Sequence, residues 1–215
     1  MNLNTFGPEV FDKDYFINGL TSGKSLYENY RWMPQLTTKM VQSIIDHLGI
    51  RTTDRILDFG CARGYTVKAF KQLGYDAMGI DISEWAIANA DQDIAASVSC
   101  GDAAKVRTNF FDWIIAKDVL EHIEYVDQTI DKLLASAKVG VLAVIPLSAI
   151  DGEPYIVAEY EKDITHIHRL TLASWARMFM RPGWRVEAMY RLAWTKDNYK
   201  TWENGNGFIT TRRIS

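Results

Sequence analysis

The sequence predicts an α/β fold, a mostly parallel sheet covered by helices on both faces. Short apolar runs alternate with segments of helical periodicity from residue 36 onward, the pattern of repeated βαβ units. The run 139–145, VGVLAVI, is apolar almost throughout, as a strand buried on both faces must be. A third observation concerns function. In 56–65, ILDFGCARGY, an apolar run ends in an acid and then drops into small residues and glycines. A core strand has no use for Asp58, and a plain surface turn does not need the apolar run before it. The combination reads as a strand that stops at a ligand.

The elements follow in order. Residues 1–35 crowd Phe6, Phe11, Tyr15, Phe16, Tyr27, Tyr30 and Trp32 between glycines and a proline. So aromatic a stretch is not a disordered tail, and it is expected to pack on the main domain, 36–215, as a lid or cap. Leu36, Met40, Ile44 and Leu48 recur at helical spacing over 36–48, and Gly49 stops that helix. A buried strand is expected at 55–59 and a helix at 64–73, closed by Gly74. A second strand covers 77–82, after which Ser83 caps a helix through about Ala90. A third strand is placed at 95–100 and a fourth at 111–116, FDWIIA. The segment 119–137 reads as one helix with Val126, Ile130, Leu133 and Leu134 on a shared face. Strand 139–145 is followed by a polar loop after Pro146, a helix at 172–180 and strands at 184–188 and 207–212.

Composition narrows the function classes. Twenty-four Lys and Arg stand against 27 acids, a net charge of −3, with no block of one sign. That argues against a basic nucleic-acid footprint. No apolar run is long enough to cross a bilayer, and the N-terminus lacks a basic flank followed by an apolar core. The expectation is a soluble, cytoplasmic chain without a membrane partner. Cys61 and Cys100 are its only cysteines, too few for a disulfide framework and expected to stay reduced.

Ligands of open α/β sheets bind beyond the carboxyl ends of the strands. Three features fall at such ends. Gly60, Ala62 and Gly64 lie between the first strand and its helix, where small residues let the backbone approach a ligand and the helix start offers free N–H groups. Asp81 ends the second strand, 21 positions after Gly60, and can accept both hydroxyls of a ribose. Asp102 follows the third strand in CGDA and can accept from an adenine amine, with the Ala103 N–H beside it. Together they read as an adenosine site. The nicotinamide fingerprint requires G-x-G-x-x-G, whereas this chain has G-x-A-x-G with Tyr65 at the last position. Asp58, two residues before the first glycine, would repel a pyrophosphate and suits a ligand carrying positive charge. S-adenosylmethionine is such a ligand. GLTSGKS at 19–25 mimics a phosphate-binding loop, but the motif needs its first glycine at position 18, which is Asn18.

With these residues in place, the chain resembles the class I S-adenosylmethionine-dependent methyltransferases over about residues 36–190. ILDFGCARGY is similar to their first motif, D-x-G-x-G-x-G, with Ala62 for the middle glycine. GIDIS, CGDA and DWIIAKDVLEHI resemble the next three, in order. The resemblance implies a Rossmann-like, seven-stranded sheet whose last strand is antiparallel, and S-adenosylmethionine as cofactor. It implies a donor site made of Asp58, Gly60, Cys61, Ala62, Gly64, Asp81, Ile82, Gly101, Asp102, Ala103 and Lys117. Lys117 and Asp118 would also begin the substrate side.

A hydroxyl acceptor must lose its proton, and that invites a base active near neutral pH. Among the four histidines, His166 is the first candidate, then His122, then His168, with His47 structural; Asp118 joins His166 and His122 as a catalytic candidate. Asp163 and His166 match a D-x-T-H-like segment that many small-molecule and sugar methyltransferases of this class carry here. Asp118, Glu121 and His122 fall at i, i+3 and i+4, one face of a helix, and His166 could complete a metal set; some relatives use an E-x-x-E-H helix in this way. The reading nevertheless assigns no metal. No N-P-P-Y or D-P-P-Y stretch and no Pro-Cys nucleophile follow the fourth strand, which counts against DNA bases as acceptors. The expected function is methylation at oxygen of a small molecule or saccharide. The alternatives are a nitrogen or RNA acceptor, or a non-catalytic donor-binding protein acting through a partner.

Overall fold

The computed structural model describes residues 6–196 and 202–214. Its centre is one seven-stranded sheet: β1 Arg55–Phe59, β2 Asp76–Asp81, β3 Val98–Cys100, β4 Phe111–Lys117, β5 Ala137–Pro146, β6 Trp184–Met189 and β7 Asn206–Arg213. The strand order is β3-β2-β1-β4-β5-β7-β6. Every pairing is parallel except those of β7, which runs antiparallel to both β5 and β6. The chain winds outward from β1 to β3, then returns to β1's other side with β4. The order therefore reverses between β1 and β4, and beyond their carboxyl ends a crevice opens.

Side-chain alternation sorts the strands' residues onto two apolar layers. Leu57, Phe59, Ile114, Ala116, Val141 and Ala143 face α6 (Val126–Ser136) and α7 (Leu172–Met178). Ile56, Trp113, Ile115, Leu142 and Val144 face α3 (Pro34–Leu48) and α4 (Tyr65–Gln72). Burial on both faces explains why these strands read as continuous apolar runs.

The aromatic N-terminal stretch folds as two short helices, α1 (Lys13–Ile17) and α2 (Gly19–Ser22), against α5 (Glu84–Ala88). Asp12 caps α1, accepting from the Tyr15 N–H at 3.0 Å, and pairs with Lys24 at 2.7 Å. Phe16 stacks on Trp85 with ring centres 5.7 Å apart, and the Ser83 hydroxyl donates to the Phe11 carbonyl. The GLTSGKS stretch is thus a helical turn with its lysine held by Asp12, and it lacks the strand before it that a phosphate-binding loop requires.

Several element boundaries differ from the sequence reading. The third strand begins at Val98, because residues 95–97 form a 3₁₀ turn and only Val98–Cys100 pair with β2. The segment 119–137 is not one helix. Leu120–His122 make a 3₁₀ turn and α6 starts only at Val126. The carbonyls that would continue the helix are used elsewhere: Ile167 N–H donates to Glu121 O at 2.9 Å, and His168 Nε2 lies 2.7 Å from Ile123 O. Ala137 already belongs to β5, pairing with Phe111 beside a bulge. The helix capped by Ser83, whose hydroxyl accepts from Ala86 N–H at 3.0 Å, stops at Ala88, and α7 stops at Met178.

Candidate active site

A cavity of about 610 Å³ opens at the crevice, within the range of small-molecule sites. Phe59, Gly60 and Ala62 line it from β1, Asp81 and Ile82 from β2, and Gly101, Asp102 and Ala103 from β3. Asp118, Val119 and His122 close it from β4, and Phe11, Tyr15, Phe16 and Tyr27 roof it from the N-terminal segment.

The sequence explains the local geometry. Gly60, directly after β1, has φ +78°, and a Cβ there would lie 2.5 Å from Val119 Cγ2. Gly60 is therefore required both by its dihedral and by the close approach of the β4 loop. Gly60→Ala is expected to cost about 1–3 kcal/mol of stability, measurable as a lowered denaturant midpoint with unchanged slope. Asp81, buried at the tip of β2, accepts from Ala62 N–H at 2.7 Å and from Ser83 N–H at 2.8 Å, one bond to each oxygen. This pins the glycine loop to β2 and leaves each oxygen with lone-pair capacity toward the cavity. Exposed Asp102 accepts from Ala104 N–H at 3.0 Å, which shapes the turn carrying Gly101 and Ala103.

Other expected donor residues support the cavity from behind. Cys61 is buried, and it packs against Gly79, where a Cβ would meet its sulfur at 2.6 Å. Gly64, φ +76°, is held against Ile94 and Val98. Asp58 is buried beneath the loop, and its carboxyl is pushed up to about 7 by burial, against the pull of Lys117. Lys117 turns its ammonium to Asp118. None of these four residues lines the cavity wall.

Beyond β4 lies a buried polar cluster. Asp118 is in the left-handed region, φ +52°, and its carboxylate pairs with Lys117 and, at 2.7 Å, with Lys196. Burial alone would raise its pKa, but the two ammonium groups hold it well below the usual carboxylate range. The two ammonium groups thus tie this carboxylate to the start of the loop after β4. His122 presents its ring to the cavity, with Nδ1 2.7 Å from Thr165 Oγ1. Burial lowers its pKa, opposed by Asp163 and Asp118, which favours the neutral ring. His166 is buried behind it, ring centres 4.7 Å apart, and does not reach the cavity wall. Burial and His122 drop His166 to about 4. His168 is committed to Ile123 O and edges Trp175, while His47 meets Thr210 Oγ1 at 3.0 Å on the far side. His122 thus lines the cavity, whereas His166 lies behind its ring and off the wall.

The metal alternative is reshaped too. Glu121, His122 and His166 each offer a donor atom within 4.8 Å of one another, and Glu121 Oε2 and His166 Nδ1 have no hydrogen-bond partner. Asp118 is excluded from the set by its lysines. The Glu121 Oε1 to histidine Nε2 distances are both 4.0 Å. Donors about 2.1 Å from one tetrahedral ion lie about 3.4 Å apart, so the cluster is wider than a closed metal shell.

The D-x-T-H-like segment contains Thr165, but the sequence reading gave Thr165 no contact of its own and did not connect Tyr15 and Phe11 with His122. The signal for Thr165 was the string Asp163-x-Thr165: an Asp two residues before a Thr readily bonds its amide, and here Thr165 N–H donates to Asp163 Oδ1 at 3.0 Å.

Residues 31–189 match the model of a family described as methyltransferase domain. The chain belongs to this methyltransferase family. No curated protein matches the chain. Solved structures share the fold at low identity. An S-adenosylmethionine-dependent methyltransferase of Archaeoglobus fulgidus aligns with TM-score 0.64 and 16% identity, over 84% of this chain and 95% of that one. The complex of a Haloferax volcanii methyltransferase with the Trm112 activator aligns with TM-score 0.65 and 16% identity, over 84% and 90%. Magnesium protoporphyrin IX methyltransferase of Synechocystis, solved with S-adenosylhomocysteine, aligns with TM-score 0.61 and 18% identity, over 84% of each chain. The methyltransferase uses S-adenosylmethionine as its cofactor, and the cavity fits it in size, in the free capacity of Asp81 and in the bare backbone of the Gly60 loop. No helix among the described residues is long and apolar enough to cross a membrane.

A pH dependence follows from Asp58. Burial pushes its carboxyl up to about 7, and a cationic donor favours the ionised form. Donor affinity is therefore expected to rise as pH climbs through about 7 and to decline below it, with Asp81, also raised by burial, expected to act in the same sense. Calorimetric titration at about pH 6 and about pH 8 checks this, and equal affinities would place Asp58 outside the donor's field.

Proposed function

We propose that this methyltransferase transfers the methyl group to an oxygen of a small molecule or saccharide, with His122 as the proton acceptor. The observation that carries the reading is the continuity of one cavity from Gly60, Asp81 and Asp102 to the ring of His122. Asp81 is assigned to the ribose hydroxyls, and the 101–103 turn to the adenine. Bound there, S-adenosylmethionine supplies a methyl carbon activated by its positive sulfur. His122 Nε2 would take up the proton that the acceptor hydroxyl gives up as its oxygen is methylated. Alignment of the partners is the chain's main contribution and can supply about 7–11 kcal/mol in favourable cases. The aromatic N-terminal segment covers the site and excludes water. The two free thiols suit a reducing compartment, and we place the enzyme in the cytoplasm.

The test is incubation with methyl-labelled donor and separate pools of metabolites, glycans and RNA. Base-stable, hydroxyl-derived label in the first or second pool supports the reading. Label on nitrogen, or in RNA alone, overturns the acceptor assignment. Donor binding with no labelled product in any pool favours a non-catalytic role through a partner.

A further inference from the structure

We propose that Tyr15, Asp163 and Thr165 form a hydrogen-bonded chain that sets the tautomer of His122 and makes the N-terminal segment part of the proton-accepting apparatus. The proposal rests on the reading of His122 as that acceptor. Its geometry is explicit. The Thr165 hydroxyl donates to Asp163 Oδ1 at 2.6 Å, and the Thr165 N–H holds the same oxygen at 3.0 Å. A hydroxyl has one hydrogen, and this one is committed. Toward His122 Nδ1, 2.7 Å away, Thr165 can offer only a lone pair. Nδ1 must therefore carry the ring's proton, and in the neutral imidazole Nε2 is left as the basic nitrogen. Free imidazole side chains favour the opposite tautomer, so the protein imposes this one. Asp163 is in turn fixed by the Tyr15 hydroxyl, which donates to Oδ2 at 2.8 Å across 148 residues of sequence. Tyr15, Asp163 and Thr165 are 3%, 5% and 0% exposed, so water cannot replace any link.

Tyr15 belongs to α1, and the same segment sets Phe11 edge-on to the His122 ring at 5.9 Å. Docking of α1 on α5 therefore covers the cavity and completes the orienting chain in one event. The three residues do not touch the reacting atoms; they are positioning residues. The titratable groups around the His122 ring are Asp163, Asp118, Glu121 and His166.

The test is nitrogen-15 NMR of histidine-labelled protein, which reads tautomer and titration without any acceptor. The His122 signals are identified by their loss in His122→Asn. The wild type is expected to hold His122 as Nδ1–H. Thr165→Val is expected to shift it to the Nε2–H form with donor affinity unchanged, and Thr165→Ser to restore the wild-type pattern. Tyr15→Phe is expected to keep the tautomer and raise the His122 pKa, because Asp163 loses a donor that offsets its charge. An Nε2–H ring in the wild type, or an unaltered ring in Thr165→Val, overturns the chain; an unmoved pKa in Tyr15→Phe overturns the link to the N-terminal segment. Calorimetry with S-adenosylmethionine on the same samples separates the two readings. Absence of binding by the wild type removes the proton-accepting role whatever the tautomer, and binding with the wrong tautomer removes only the chain.

Discussion

Replacing Asp81 by alanine is expected to weaken S-adenosylmethionine binding by about 100-fold or more. Among the described residues, Asp81 is the buried carboxylate at a strand tip that both lines the cavity and keeps lone pairs free toward it. Two ribose hydroxyls would lose a charged acceptor, and hydrogen bonds to charged groups are worth about 1.5–3 kcal/mol each. Their joint loss corresponds to roughly 100- to 10⁴-fold in affinity. The same substitution strands the N–H groups of Ala62 and Ser83, which now have Asp81 as acceptor. Those losses loosen the glycine loop and add to the effect. Calorimetric titration reads the dissociation constant, with thermal unfolding of the variant as the control for folding. Affinity within about threefold of wild type would remove the ribose assignment.

Replacing His122 by asparagine acts on a different quantity. Turnover is expected to fall by about 10²- to 10⁴-fold, the ordinary contribution of a positioned general base, while donor affinity stays within about threefold. Asparagine is chosen because its amide can still donate to Thr165 while nothing replaces Nε2. Steady-state turnover of the acceptor found in the labelled-donor screen, beside donor calorimetry, separates the two effects. Equal losses in both would make His122 part of the donor site. His166→Asn is the contrast: its ring lies behind His122 and off the cavity wall, so it changes turnover far less than His122→Asn does.

The side of the cavity built by β1, β2 and β3 was legible in the sequence because its features are local. A glycine that needs a positive φ, an acid at a strand tip and a capped turn each lie within a few residues of the strand that positions them, and four such motifs occur in chain order. The sheet was legible for a related reason: β1, β4 and β5 are buried on both faces, so their composition announces them. The acceptor half is built differently. His122, Thr165, Asp163 and Tyr15 come from three segments, and their hydrogen bonds span 43 and 148 positions, distances at which spacing carries no signal. Periodicity also misjudged the stretch after β4. Leu120 and the 3₁₀ turn around it continue an apolar helical pattern, yet the carbonyls of Glu121 and Ile123 bond to the 166–168 strand of loop instead of to amides four residues on. Tertiary partners there outbid local preference. The motif around His166 was visible in the sequence, while the place of its ring behind that of His122 was not.

The central claim is that the tips of β1, β2 and β3 form the donor site, with His122 at the far end of the same cavity. A crystal structure grown with S-adenosylhomocysteine tests it most directly. The account predicts the ribose hydroxyls on Asp81, the adenine against Gly101 to Ala103, and the sulfur directed along the cavity toward His122. Density for the ligand elsewhere, or a ribose that touches no carboxylate, would contradict it.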